Sequence, residues 1–108
     1  MSTTFEQLKL LISQMDILVS VHGYDELAND NLTVSEIIDS AASGTVIEDY
    51  PDYHKGPAVL LLQNDKNSLP VHVVWGIPKG QSRPAVIVTA YRPDVKLWSK
   101  DFKRRLKK

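Results

Sequence analysis

The apolar positions of this chain change period near residue 44. Phe5, Leu8, Ile12 and Met15 recur at three- to four-residue intervals, the spacing of one helix face, and predict an amphipathic helix over residues 4–15. Thr3-Thr4-Phe5-Glu6 at its start has the spacing of a capping box. Ile17-Leu18-Val19-Ser20-Val21 is a short β-prone run, residues 22–29 suit one or two helical turns, and Asn29-Asp30-Asn31 breaks the chain. A second capping box, Thr33-Val34-Ser35-Glu36, opens a helix with Val34, Ile37, Ile38, Ala41 and Ala42 as its buried stripe and Gly44 as its stop.

Beyond Gly44 the period falls to about two. Residues 45–50, 58–63, 71–77 and 85–91 are strand-like runs, separated by turn-forming stretches at 51–56, 64–68 and 78–83. Loops this short imply antiparallel neighbours. The expected class is therefore α+β: two or three amino-terminal helices packed on a four-stranded antiparallel meander sheet, with a basic carboxyl-terminal helix or tail. A single domain over residues 1–108 is expected, with a core at about 16–98 and a tail at 99–108.

Centring each hairpin on its loop puts Val71, Val73, Trp75 and Ile77 on one face with Ala58, Leu60, Leu62, Val86, Val88 and Ala90. The helices should pack on that apolar face. The second face then carries His72 among Leu61, Val74, Ile87, Thr89 and Tyr91, with Glu48 towards its far side. A slip of one residue would invert the assignment. In the tail, Trp98, Phe102 and Leu106 fall four apart, a helical stripe with Lys100, Lys103, Arg104, Lys107 and Lys108 on its other faces. The stripe either docks on the second face or leaves the basic side to engage phosphates, with Trp98 stacking on a base.

Composition narrows the classes. Apolar residues are 43% and charged residues 24% of the 108, an ordinary globular balance. Without cysteine there is neither a disulfide framework nor a thiolate metal site. No apolar run reaches the roughly 20 residues that span a bilayer, and the amino terminus does not read as a signal peptide. A cytoplasmic protein without membrane partners is expected. The zero net charge hides a split: residues 1–69 carry −8 and residues 70–108 carry +8. Such asymmetry points the carboxyl-terminal end towards an anionic partner, RNA first among them.

The candidate chemistry is acid–base. His22, His54 and His72 are far apart and form no metal-binding pair, and Glu48, Asp49, Asp52 and His54 read as a solvated turn, so no metal is expected. Phosphate-cradling glycine motifs are absent, so no cofactor is expected. Cleaving RNA through its 2′-hydroxyl needs a base, an acid and cations for the phosphorane. Histidine suits the first two roles and arginine the third. The chain offers His22, His72, Tyr91, Arg92 and Arg83 in or near the predicted sheet.

Two segments also carry a resemblance. Asp16-Ile17-Leu18-Val19-Ser20-Val21-His22, then Thr33-Val34-Ser35-Glu36-Ile37-Ile38 and Gly44-Thr45-Val46-Ile47-Glu48-Asp49-Tyr50-Pro51, resemble the front half of the bacterial family called domain of unknown function 4258. Leu69-Pro70-Val71-His72-Val73-Val74 and Val86-Ile87-Val88-Thr89-Ala90-Tyr91-Arg92-Pro93-Asp94, with Trp98, resemble its back half. That family has been grouped with the small RelE-like and barnase-like ribonucleases of toxin–antitoxin systems. The resemblance thus implies a ribonuclease-type α+β fold and singles out His22, His72 and Tyr91. Members commonly place an arginine shortly after the first histidine; here Tyr24-Asp25-Glu26-Leu27 supplies acids instead.

Two functional expectations follow. In the first, the protein is a metal-independent RNA endonuclease with a cognate antitoxin. His72 or His22 serves as base or acid, Tyr91 orients or donates a proton, and Arg92 and Arg83 stabilise phosphate. In the second it is a non-catalytic module that binds nucleic acid or protein. Arg83, Trp98, Lys100, Lys103, Arg104 and Arg105 are the expected nucleic-acid contacts.

Overall fold

The computed structural model describes residues 2–106. The chain runs α1 (Thr3–Ser13), β1 (Ile17–Val19), α2 (Val21–Asn29), α3 (Val34–Ala41), β2 (Thr45–Tyr50), β3 (Ala58–Asn64), β4 (Pro70–Gly76) and β5 (Ala85–Tyr91). No helix among the described residues is long and apolar enough to cross a membrane.

The helix starts are set locally. The α1 cap is Ser2 rather than Thr3: its hydroxyl accepts from the Phe5 amide at 3.0 Å, and Glu6 turns instead to Lys9 at 2.7 Å. The α3 capping box forms as expected, with Thr33 accepting from the Glu36 amide and Glu36 accepting from the Thr33 amide.

The sheet is α+β in setting but not a four-stranded antiparallel meander. It has five strands in the order β1-β5-β4-β3-β2, and β1 pairs parallel with β5, Ile17 opposite Ala85 and Val19 opposite Ile87. A parallel partner is joined by a long crossover rather than a hairpin. Loop length, which indicates the meander, therefore carries no signal for this fifth strand.

Register differs by one residue from hairpins centred on their loops. Val59, Leu61 and Gln63 of β3 oppose Trp75, Val73 and Val71, so Ala58, Leu60 and Leu62 lie on the second face. A bulge in β5 adds a second correction. Val74 opposes Thr89 while Trp75 opposes Ile87, leaving Val88 as the extra residue. Below the bulge Ala85 and Ile87 enter the core; above it Ala90 does. The Ser20 hydroxyl holds this kink, accepting from the Gly23 amide and donating to the Val88 carbonyl, each at 2.9 Å.

On the first face Leu8, Leu11 and Ile12 of α1, Leu27 of α2, and Ile37 and Ala41 of α3 pack against the sheet. Trp75 is fully buried there. Its indole N–H donates to Gln63 Oε1 at 2.7 Å, and Gln63 Nε2 donates to the Ile37 carbonyl at 2.8 Å. One glutamine thus satisfies the sheet's largest side chain and adds a second donor to an α3 carbonyl.

The carboxyl-terminal stripe is not helical. Residues 98–105 form a tight loop in which Trp98 bridges to Arg105, the Ser99 amide donates to the Arg104 carbonyl at 2.8 Å, and Phe102 takes φ +61°. Asp101 stabilises the turn by accepting from the Ser99 hydroxyl and the Lys103 amide. The loop docks on the second face of the sheet, one of the two expected placements. Lys107 and Lys108 lie outside the described residues.

Candidate functional site

His72 sits in the middle strand on the second face and is fully buried. Three groups close over it. Its Nδ1 lies 3.2 Å from the hydroxyl of Tyr91, the residue opposite it on β5. Its Nε2 lies 2.8 Å from the Phe102 carbonyl oxygen. The Trp98 ring meets it edge-on with centroids 4.3 Å apart.

The hydrogen bonds assign the tautomer. A carbonyl oxygen only accepts, so Nε2 carries the proton, and Nδ1 of the neutral ring accepts from the Tyr91 hydroxyl. Burial pushes the His72 pKa below its ordinary value, against the opposing pull of the Phe102 carbonyl and of Glu48. Burial likewise pushes the Tyr91 phenol up. At neutral pH the imidazole is uncharged, with both nitrogens engaged.

The network continues across the sheet. Arg105 lies over the Trp98 ring, 4.8 Å from its centroid, and forks onto Glu48 of β2 with contacts of 2.7 and 3.0 Å. Tyr50, two residues on along the same strand, donates its hydroxyl to the same carboxylate. The Arg105 fork holds Glu48 below the usual carboxylate range, and Glu48 in turn raises Arg105. Burial, then the Glu48 carboxylate, pushes Tyr50 up. Tyr50, Glu48, Arg105, Trp98, His72 and Tyr91 therefore form one connected series.

Other candidates are placed elsewhere. His22 stands exposed near the start of α2, its Nε2 3.7 Å from Glu26. Arg92 is tied to the far end of β3, where NH1 donates to Asp65 at 2.8 Å while its backbone N–H donates to Asp30 at 2.8 Å. Arg83 forks onto Asp16 at 2.6 and 2.8 Å, which lowers the aspartate and raises the arginine. The structure thus brings together His72, Tyr91, Trp98 and Arg105, and separates His22, Arg92 and Arg83 from them. Lys100, Lys103 and Arg104 project from the docked loop, exposed and in no ion pair among the described residues.

Beside the network the second face is open. A groove of about 570 Å³ runs over Ala58, Val74, Gly76 and Val88, bordered by Tyr50 and Tyr53. Sequence reasoning missed the Glu48–Arg105 fork and both groove tyrosines. The period-2 spacing of Glu48 and Tyr50 puts them on one face, but nothing local ties them to an arginine so far along the chain. Among the described residues no three His, Asp or Glu side chains gather as a metal site.

No curated protein and no solved structure matches this chain. A family model does, over residues 19–92, from the end of β1 through the end of β5, and so over more than half the chain. The matched span holds His72, Tyr91, Glu48 and Tyr50, and leaves the docked loop with Trp98 and Arg105 outside it. The chain belongs to the family described as a domain of unknown function, DUF4258.

Proposed function

We propose that this protein is a single-stranded RNA-binding module that grips phosphates through its docked carboxyl-terminal loop. One observation carries the reading: Trp98 and Arg105 fasten the loop to the sheet while Lys100, Lys103 and Arg104 stay exposed and unpaired among the described residues. Cations presented on a folded loop meet phosphates with less ordering than a free tail needs, and each contact releases counterions. A general base must reach a substrate proton, and His72 has both nitrogens committed beneath Trp98. Arg83 and Arg92 are committed to Asp16 and Asp65.

The test is fluorescence anisotropy with a labelled single-stranded RNA across a salt series. Binding should weaken as salt rises. Replacing Lys100, Lys103 and Arg104 together by alanine should flatten the log–log slope by about 2, near 0.7 for each lost contact on a single strand. RNA recovered from the binding reaction should be intact. Equal affinity and slope in the wild type and the triple variant would sink the reading.

A second reading, RNA cleavage through the 2′-hydroxyl, keeps one observation in its favour. Glu48, Tyr50, Arg105, His72 and Tyr91 meet on one sheet face, and these are residue types that such cleavage uses. It predicts that induced expression fragments cellular RNA, and that Glu48→Gln, which removes the carboxylate base, leaves RNA whole. Intact RNA in wild-type cultures excludes it.

A further inference from the structure

The groove on the open half of the second face is preformed. Its floor is built from small side chains on neighbouring strands: Ala58 opposes Gly76, and Gly76 opposes Val86. A Cβ at Gly76 would stand 3.5 Å from Val88 Cγ2 and 3.6 Å from the Ala58 Cβ, so side-chain atoms there would fill the floor. The tyrosine wall spans the end of β2 and the loop after it, and backbone bonds brace that loop against the residues after β4: Lys79 N donates to the Lys55 carbonyl and Ile77 N to the Pro57 carbonyl, each at 3.0 Å. Gly56 permits that close approach. It adopts φ +121°, and a Cβ there would fall 2.0 Å from the Ile77 carbonyl oxygen.

Depth, lining and edges define an occupant. A volume of about 570 Å³ lies within the range of preformed ligand sites, and the floor is aliphatic. Tyr50 and Tyr53 are 39% and 47% exposed, and the Tyr53 ring leans on His54 with centroids 4.5 Å apart, so both tyrosines keep surface open at the wall. One cation, Lys55, lines the groove, and Tyr50 at its wall shares the Glu48 carboxylate with Arg105. Through that contact the groove abuts the loop that bears Lys100, Lys103 and Arg104. An apolar groove with tyrosines at its wall and a lysine in its lining suits a nucleobase joined to a phosphate better than an aliphatic peptide, which would leave Lys55 without a partner.

We propose that this groove holds unpaired bases of single-stranded RNA, stacked against Tyr53 and Tyr50, while the strand's phosphates continue onto the basic loop. The proposal rests on the RNA-binding reading and adds a base-contacting subsite to it. Base–aromatic stacking accepts any base, so the site discriminates single from paired strands rather than one sequence from another.

The test compares two labelled probes of about eight nucleotides: an oligouridine, and an abasic ribose-phosphate strand of equal length. Tyr53→Ala, in an exposed loop, should weaken oligouridine binding about tenfold, within the range expected for losing one stacked base. It should leave the salt slope and the abasic probe unchanged, and Tyr53→Trp should restore affinity. Gly76→Val, which fills the floor, should act in the same direction as Tyr53→Ala. Oligouridine affinities equal to wild type in both variants overturn the groove assignment while leaving RNA binding in place. Equal losses on both probes overturn it too, since a base-independent defect is no stacking site. If wild type binds neither probe, the RNA-binding reading falls and takes the groove assignment with it.

Discussion

The Nε2 of His72 donates to the carbonyl oxygen of Phe102 at 2.8 Å, joining the middle strand to a loop thirty residues away. That bond fixes Nε2 as the nitrogen that carries the proton in the neutral ring, and burial, outweighing the pull of the carbonyl, makes a second proton unfavourable in the folded state. The folded pKa therefore lies below the unfolded value of about 6.5. Stability from this group is fully present above about pH 6.5 and is lost as pH falls from there towards the folded pKa, because the unfolded chain binds the proton more readily. Asp16, Glu36, Glu48, Asp65 and Asp101, whose pKa values are lowered on folding, contribute their losses only further down, near and below about pH 4.5. Urea unfolding at closely spaced pH values should show a decline beginning near pH 6.5. A curve flat from pH 7 to pH 5 would contradict the assignment.

The same bond makes His72→Ala a test of structure. Removing the ring leaves a cavity beneath Trp98, an unpaired Phe102 carbonyl and an unpartnered Tyr91 hydroxyl. The expected cost is about 2–4 kcal/mol. Amide exchange at Ser99 and Leu106, whose N–H groups donate within the loop and its base, should accelerate more than exchange at Val73. A phenotype of His72→Ala in cells therefore reports loss of the docked loop before it reports chemistry. Glu48→Gln keeps its side-chain volume but gives up the charged fork with Arg105 that fastens the loop, so as a probe of acid–base chemistry on this face it is read beside the same exchange measurement.

What the chain makes legible is local, and what it hides is tertiary. Thr33 and Glu36 lie one turn apart and cap α3 with no outside help, so their spacing suffices. His72 and Tyr91 are read on one face because strand alternation alone places both there. The rest of the face assignment fails in two places: in the β3–β4 register, which moves Ala58, Leu60 and Leu62 to the second face, and at Val88, where a bulge is held by the Ser20 hydroxyl from another element. β1 is a β-prone run in the sequence, but its parallel partner follows α2, α3 and three further strands, and no turn links the two. In the tail, a four-residue apolar spacing reads as a helix. The loop instead puts Phe102 at φ +61°, and its carbonyl meets His72. A non-glycine residue enters that region at a cost, which long-range contacts to the sheet offset and local pattern cannot anticipate.

Gln63 shows how a polar residue in a strand becomes obligatory. It is almost fully buried and bonds at once to the Trp75 indole, the Ile37 carbonyl and the Ser40 hydroxyl. Gln63→Leu preserves the volume and adds apolar surface, but strands the Trp75 N–H in the core and leaves the Ile37 carbonyl only its helical donor. At about 1–3 kcal/mol for a buried group left unsatisfied, chemical denaturation should show a loss of about 1–3 kcal/mol. A neutral or stabilising Gln63→Leu would mean that water reaches the Trp75 N–H.

Arg92 separates structural cations from RNA-binding ones. Its guanidinium joins the Asp65 carboxylate to the Asp30 carbonyl, and so ties the α2–α3 connection to the β3–β4 turn at the end of β5. Asp65 also accepts from the amides of Asn67 and Leu69, and the Leu69 contact contributes most to holding its carboxyl below the ordinary range. Arg92→Ala should lower the thermal midpoint by several degrees while leaving RNA affinity and its salt slope at wild-type values. The triple replacement of Lys100, Lys103 and Arg104 should do the reverse, since those side chains are exposed and form no ion pair among the described residues, Asp101 acting on Lys103 and Arg104 only at longer range. Melting curves and anisotropy titrations on both proteins decide the matter. If Arg92→Ala binds RNA more weakly at an unchanged melting point, Arg92 belongs to the RNA surface and its pairing with Asp65 opens when RNA binds.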